Sequence, residues 1–386
     1  MKTIAVIGAS YLQRPLVEKA REMGLRTLCF AWEKGAVCKD ICDRFYPVSV
    51  VEKEEILRIC CEEKIAGICT IASDAAAPTV AYVAERMGLT GNPYAAAIRA
   101  NNKYLMRQAL SEAGVPCPRY QCLSLNTPYS VSRSEEPSTI NVQLSPPLII
   151  KPSDRSGSMA VTKVTDRNQL AEAIKRAQEA SFRHEAMVEE YIEGREISVE
   201  MISCHGVHHA LQITDKVTTE APHFVELAHH QPSDLPADMQ TYIFDLTRRA
   251  LDALGLTDGA SHAEYKITAD GRIMVMEIGG RMGGDFIGSD LVQLSTGYDF
   301  LRGVIEVALG QTICPHPMAR AYSGVYFLSA EPPEVKRYID RAEEYEQIVR
   351  AEQTDETLRP LTCSGDRSGY FIYAQAHGRF EVKSEK

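Results

Sequence analysis

Nowhere in its 386 residues does the sequence hold a run approaching the roughly 18 apolar residues that a membrane-crossing helix needs. Its apolar opening is only Ile4 to Ile7, cut off by Gly8-Ala9-Ser10, so no membrane span is expected and the cytoplasm is the expected location. Blocks of Lys and Arg are also missing. With a formal net charge of −10 and a pI near 5.6, that absence argues against nucleic acid or an anionic membrane as the main partner and leaves small molecules. The 11 cysteines make an odd count, include the adjacent Cys60-Cys61 and form no paired C-x-x-C motifs, so they are read as reduced thiols. Cys38 and Cys42 would share a helix face, yet without a second ligand pair buried thiols are favoured over zinc. Two phosphate-binding signatures are absent as well. Ser10 and Gln13 stand where a G-x-G-x-x-G fingerprint needs glycines to admit a pyrophosphate, and no Walker A loop occurs.

What is present is a globular chain, 45% hydrophobic, long enough for two or three domains. Residues 1 to about 92 alternate strand and helix. The strands Thr3–Gly8, Arg26–Phe30, Phe45–Val50 and Gly67–Ile71 are separated by helices over Pro15–Met23 and Val51–Lys64, which predicts a doubly wound parallel sheet. Ser73-Asp74, just past the last of these strands, is a place to read a substrate or simply a turn. A single helix is predicted over Tyr94–Ala113, carrying Lys103, before the breaker Pro116-Cys117-Pro118. A strand over Arg119–Leu125 then runs into a polar stretch, Asn126 to Pro147, expected to be irregular surface.

Three stretches carry chemistry. Pro147 to Pro152 reads as a buried strand ending in Lys151, followed by Ser153-Asp154-Arg155-Ser156-Gly157-Ser158, a small loop whose amides suit phosphate oxygens. Ala186 to Glu196 reads as a strand and turn whose peptide groups suit an adenine edge, with Glu196 for a ribose; taken alone, a solvated acidic edge is the simpler reading. The third stretch, HAEYKITADGRIMVMEIGGRMGG from His262 to Gly284, predicts a hairpin about Asp270-Gly271. With those two residues as its centre, Ala269 opposes Arg272 and Glu264 opposes Glu277. Facing carboxylates repel unless a cation intervenes, and Mg²⁺ takes one or two carboxylates with phosphates and water. Arg281 follows in a glycine-rich turn, where its guanidinium suits a carboxylate or phosphoryl group.

Lys103, Lys151-Pro152 with its Ser/Gly loop, Val188 to Glu196 and the Glu264/Glu277/Arg281 hairpin occur in an order and spacing that resembles the ATP-grasp superfamily, in particular its carboxylate-amine ligases. The resemblance spans essentially the whole chain. It implies an α/β (α+β clamp) fold: a Rossmann-like domain over 1–92, a linker helix and small lid subdomain over 93–195, a large subdomain over 196–313 and an α+β piece over 314–386. It implies ATP and Mg²⁺ or Mn²⁺ as cofactors, with Lys103, Lys151, Ser156, Gly157 and Ser158 on phosphates. Glu189 with the Glu190 and Ile192 backbone would hold adenine, Glu196 the ribose, and Glu264 and Glu277 the metal. Lys151 and Arg281 would act in catalysis, Arg281 on the acyl phosphate and the transferring phosphoryl group. The expected reaction joins a small-molecule carboxylate to an amine with release of ADP and phosphate, in a monomer or homodimer. An amino acid or dipeptide ligase and a purine-pathway carboxylase both fit. One position departs from the pattern: Gly279 stands where the family commonly places a metal-ligating Asn. A binding protein without catalysis would follow from that change, and a nucleotide-dependent oxidoreductase from the first domain alone.

Between the second and third stretches lie His205, His208, His209, His223, His229 and His230. Gly206 makes the first group a hairpin turn, so surface and pocket positions are favoured over a zinc site. His223 to Glu226 and His229 to Pro232 are expected to face the cleft. Helices are predicted over Tyr242–Leu254 and within Leu291–Leu309. Strands are expected over Ala321–Leu328 and Gly369–Ala374, with a helix near Pro333.

Overall fold

A computed structural model describes residues 1–124, 142–155, 157, 159–219 and 223–383. The first unit contains β1 (Thr3–Ile7), α1 (Arg14–Glu22), β2 (Arg26–Phe30), β3 (Arg44–Tyr46), α2 (Lys53–Glu63), β4 (Gly67–Cys69) and α3 (Ala77–Met87). Its strands are all parallel in the order β3-β2-β1-β4, as the alternating strand and helix segments predict. Successive residues of β1 serve opposite faces: Ile4 and Val6 pack with Leu16 and Val17 of α1, whereas Ala5 and Ile7 pack with Ile56 of α2 and Val83 of α3. The position a pyrophosphate would need after β1 is filled. Gln13, almost fully buried, donates from Nε2 to Ile71 O at 2.8 Å and accepts at Oε1 from Ser10 N at 3.1 Å.

The predicted helix over 94–113 is two helices, α4 (Tyr94–Asn101) and α5 (Lys103–Glu112). Asn102 breaks them by taking an extended conformation and capping α5, its Oδ1 accepting from Leu105 N at 3.0 Å. Lys103 therefore starts a helix instead of riding mid-helix, and it is buried. A second sheet follows, built from β5 (Tyr120–Ser124), β6 (Leu148–Pro152), β7 (Thr162–Val164) and β8 (Glu185–Glu190) in the order β5-β8-β6-β7, all antiparallel and backed by α6 (Leu170–Ala180). Most of the predicted polar stretch from Asn126 lies outside the described residues.

The third sheet is the largest. Its strands are β9 (Arg195–Cys204), β10 (Val207–Thr218), β11 (Glu226–Gln231), β12 (Gly259–Ile267), β13 (Ile273–Gly279), β14 (Tyr322–Leu328), β15 (Ile348–Gln353) and β16 (Gly369–Gln375). Around it stand α7 (Ala237–Leu254), α8 (Val292–Thr296), α9 (Phe300–Ala308) and α10 (Val335–Asp340). The order is β13-β12-β9-β10-β11-β14-β16-β15, so the strands from the chain's last quarter extend the same sheet. β9 and β10 meet through His205-Gly206, both at positive φ, the hairpin turn expected there. The stretch over 291–309 is interrupted at Gly297, whose φ of +74° ends α8 before α9 begins. One parallel bridge, Ile71 to Met282, ties the first sheet to the glycine-rich turn after β13.

Candidate active site

A cavity of about 420 Å³ opens where the three sheets converge, lined by Asp74, Lys103, Lys151, Lys216, Glu264 and Glu277 among others. The β12–β13 hairpin supplies its floor. Glu264 and Glu277 are register partners, as expected, but the route to that pairing differs from the one inferred from sequence. Thr268 N donates to Arg272 O at 2.9 Å and Gly271 adopts φ +83°, so the turn has three residues, not two. That moves the register by one. A β-bulge between Glu264 and Tyr265 moves it back: Tyr265 pairs Val275, Glu264 pairs Glu277, and Met276 is the extra residue. Without the bulge Met276 would oppose Glu264 and Glu277 would turn to the other face.

Both carboxylates are about one-third exposed and each meets a lysine. Lys216 Nζ lies 2.6 Å from Glu264 Oε1, and Lys103 Nζ lies 3.0 Å from Glu277 Oε1. Burial opposes ionisation of Glu264, but Lys216 and His262 outweigh it and hold its pKa well below the usual carboxylate range. Lys103 also donates to Arg155 O at 2.7 Å, and its backbone N–H to Ser153 O at 2.7 Å, which ties the start of α5 to the loop after β6. Lys151 extends from β6 to Glu189 Oε2 at 2.7 Å. Burial lowers its amine pKa while Glu189 opposes that.

Arg281 grips Asp74 with two parallel bonds, Nε to Oδ1 at 2.8 Å and Nη2 to Oδ2 at 2.9 Å. Burial disfavours that charge, yet Asp74 raises the guanidinium pKa further above its usual value. The Ile71–Met282 bridge explains the meeting, since it sets the chain after β4 beside the chain after β13. His262, the register partner of Gly279, lies between Glu200, which it contacts closely through Nδ1, and Glu264 Oε1 at 3.3 Å from Nε2. Burial works against its protonation, but Glu200 and Glu264 push its pKa up to about 9. Gly283 is required here: a Cβ would come within 2.6 Å of Glu200 Oε1 and 2.7 Å of His262 Nδ1.

The remaining expected positions are distributed unevenly. Ile192, Glu196 and Gly157 line the cavity, and Glu196 pairs with Lys266 Nζ at 3.1 Å. Ser156 and Ser158 lie outside the described residues. Glu190 points away, pairing with Arg119 Nε at 2.8 Å, and Glu189 is 1% exposed, both its oxygens facing buried cations. His223 and Glu226 line the cavity, whereas His229 and His230 do not. β11 carries them into the protein, where His230 Nδ1 meets Tyr373 Oη at 2.9 Å and His229 stacks edge-on against Phe327. Of the six histidines read as surface and pocket residues, His223 lines the cavity and His205 is exposed, whereas His208, His229 and His230 are buried. Lys216, Glu200 and Arg107 escaped sequence reasoning. The partners that tie them to the site, Glu264, His262 and Glu189, lie 48 or more residues away, and no local spacing marks them.

Residues 144–290 match the family model described as an ATP-grasp domain. Alanine–anticapsin ligase of Bacillus subtilis (strain 168) is 26% identical over 227 residues, 53% of this chain and 46% of that protein. D-alanine–D-alanine ligase of Bordetella petrii is 28% identical over 202 residues, 50% of this chain and 59% of that protein. The chain thus spans about half the length of the curated relatives it matches. Among solved structures, an L-amino acid ligase from Bacillus licheniformis superposes with a TM-score of 0.80 at 22% identity, covering 98% of this chain and 94% of that one.

Proposed function

We propose that this chain, a member of the ATP-grasp superfamily, is an ATP-dependent ligase that joins a small carboxylic acid, an amino acid or dipeptide foremost, to an amine. The observation that carries this reading is the facing pair Glu264 and Glu277 in a cleft that also receives Lys103, Lys151 and Arg281. The two carboxylates fit a divalent cation. They are all-oxygen donors on one face, partly open to the cavity, and each is countered by a lysine ammonium whose place beside it a cation could take. Mg²⁺ bound there would neutralise charge on the β- and γ-phosphates of ATP. Gly279 contributes no side-chain donor, so water and phosphate oxygens would supply further ligands.

The chain's own residues do the rest. Lys103 and Lys151 present ammonium groups to phosphate oxygens, Glu196 and Ile192 border the nucleoside end, and Arg281 holds the substrate carboxylate and the phosphoryl group it receives. The carboxylate oxygen attacks the γ-phosphorus and ADP leaves. The amine then attacks the acyl carbon, phosphate leaves, and the nitrogen gives up a proton. Held in a cleft, the acyl phosphate is shielded from water, and positioning supplies much of the rate. Divisions near 92/93, 195/196 and 313/314 belong to this proposal, as does a homodimer. No helix among the described residues is long and apolar enough to cross a membrane.

The test is a screen of amino acids, singly and in pairs, with ATP and Mg²⁺, separating spent nucleotide by chromatography. ADP and phosphate are expected only with a suitable carboxylate present, and product yield rises with an amine. AMP as the main product would overturn the proposed attack at the γ-phosphorus.

A further inference from the structure

One charged side chain touches neither the cavity nor solvent, yet reaches the two halves of the site at once. Arg107, on the inner face of α5, is fully buried. Its Nε faces Glu189 Oε1 at 2.8 Å, and its Nη2 donates to the carbonyl oxygen of Met276 at 2.7 Å. The other oxygen of Glu189 belongs to Lys151, at 2.7 Å. Met276 is the extra residue of the β13 bulge, next to Glu277. A continuous path therefore runs from Lys151 through Glu189 and Arg107 to the backbone that aims Glu277.

Each link has a physical consequence. Glu189 is 1% exposed, and a carboxylate so buried must share its charge between its neighbours. With Arg107 on one oxygen, Lys151 need satisfy only the other and its ammonium remains available to the cavity. Without Arg107, Lys151 becomes the sole counter-ion and is drawn to Glu189. At the other end, a bulge leaves its extra residue outside the ladder, and the Met276 carbonyl finds its partner in Arg107. Losing that donor orphans a carbonyl and releases the register on which the facing of Glu264 and Glu277 depends. A broad planar guanidinium can set its charge against Glu189 and at the same time donate to the Met276 carbonyl; a lysine ammonium, a point charge on a different stem, can serve Glu189 alone.

We infer that Arg107 is a positioning residue that couples the phosphate-facing lysine to the facing carboxylates, so that nucleotide and divalent cation each bind more tightly when the other is present. This rests on the ATP-dependent reading of the cleft. Coupling of this kind is reciprocal and is measured as a ratio of affinities.

The experiment is isothermal titration of the full chain with ATP, with and without Mg²⁺, for wild type, Arg107→Met and Arg107→Lys, with thermal unfolding as the check on folding. Wild type is expected to bind ATP at least about fivefold more tightly with Mg²⁺. Arg107→Met should weaken metal-free ATP binding by about tenfold and reduce the Mg²⁺ enhancement below that of wild type, leaving only the part that the direct metal–phosphate contact supplies. Arg107→Lys should recover metal-free affinity but not the enhancement, a split that a merely structural arginine would not produce. Because Arg107→Lys keeps the buried charge, it reads the coupling even if Arg107→Met does not fold. An enhancement as large in Arg107→Lys as in wild type overturns the inference. If wild type binds no ATP at all, the ligase reading falls first and the coupling falls with it; if wild type binds and the enhancement survives substitution, only the coupling falls.

Discussion

Gly279 gives the sharpest handle on the site, because its environment shows what any side chain there would meet. Its backbone makes no special demand, but a Cβ would lie 2.9 Å from Asp74 Oδ1, 3.2 Å from Arg281 Nε and 3.3 Å from Arg281 Cζ. These atoms cannot swing aside freely, since they belong to the bidentate Asp74–Arg281 pair, whose side chains are only 19% and 14% exposed. Gly279→Ala therefore pushes a methyl group into a fixed ion pair. Overpacking of this kind costs about 1–3 kcal/mol. Gly279→Asn carries the same Cβ into the same carboxylate, so it is expected to cost at least as much and not to tighten Mg²⁺ binding, even though the family commonly places an Asn there. The assay is thermal or urea unfolding of Gly279→Ala in two backgrounds, wild type and Asp74→Ser. Asp74→Ser is itself destabilising, by about 3–5 kcal/mol, because it strands Arg281. It also removes Asp74 Oδ1, the nearest of the atoms that the new methyl group meets, and frees the Arg281 side chain to give way. The cost of Gly279→Ala should then shrink by about 1–2 kcal/mol, a coupling of the size seen for residues in contact. Equal costs in the two backgrounds would refute the steric argument, and a Gly279→Asn protein with unchanged stability and tighter Mg²⁺ binding would show that the Asp74–Arg281 pair does not occupy the space claimed for it.

Glu277→Ala should abolish turnover while leaving the chain folded, with some loss of stability because the buried Lys103 ammonium loses its carboxylate; retained turnover at ordinary Mg²⁺ counts against the metal assignment. Lys151→Ala should weaken ATP binding by about tenfold, the size of one lost charged contact, and leave Glu189 to Arg107 alone; unchanged affinity by titration would make that lysine structural. His230 provides a pH signature: burial first, then Arg379 and His229, depress its pKa from 6.5 to about 3. The unfolded chain therefore binds the extra proton between those values, so this histidine's contribution is intact above pH 6.5 and drains away as pH falls toward 3. His230→Gln should flatten that limb by a few kcal/mol, on the order of 1.4 per pKa unit, and a wild-type slope equal to the variant's in denaturation from pH 4 to 7 would disprove it.

How far the sequence revealed this arrangement depends on the range over which each feature is encoded. The first sheet was legible because a parallel strand buried on both faces reads as a short apolar run between helix signals, and β1, β2 and β4 lie where those runs lie. The carboxylate pair was legible for a less secure reason. Counting from a two-residue turn reached Glu264 opposite Glu277, while the protein uses a three-residue turn and restores the register with a bulge. Two departures of opposite sign cancel, and neither shows in the residue types of a hairpin this rich in β-formers. The bulge is held from outside the hairpin by Arg107, 169 positions earlier in the chain, and a contact at that separation leaves no periodicity to find. The same holds for Lys216 against Glu264 and for Asp74 against Arg281. Glu189 shows the converse. Ala186 to Glu196 was read correctly as a strand and turn, but a strand assignment does not tell whether the face that carries Glu189 opens on a ligand or on Arg107. The identities of the cavity-facing groups were thus encoded locally, while their aim was set by buried charges from other elements. For that reason the variants most informative about this site include Arg107 and Gly279, which carry none of its chemistry.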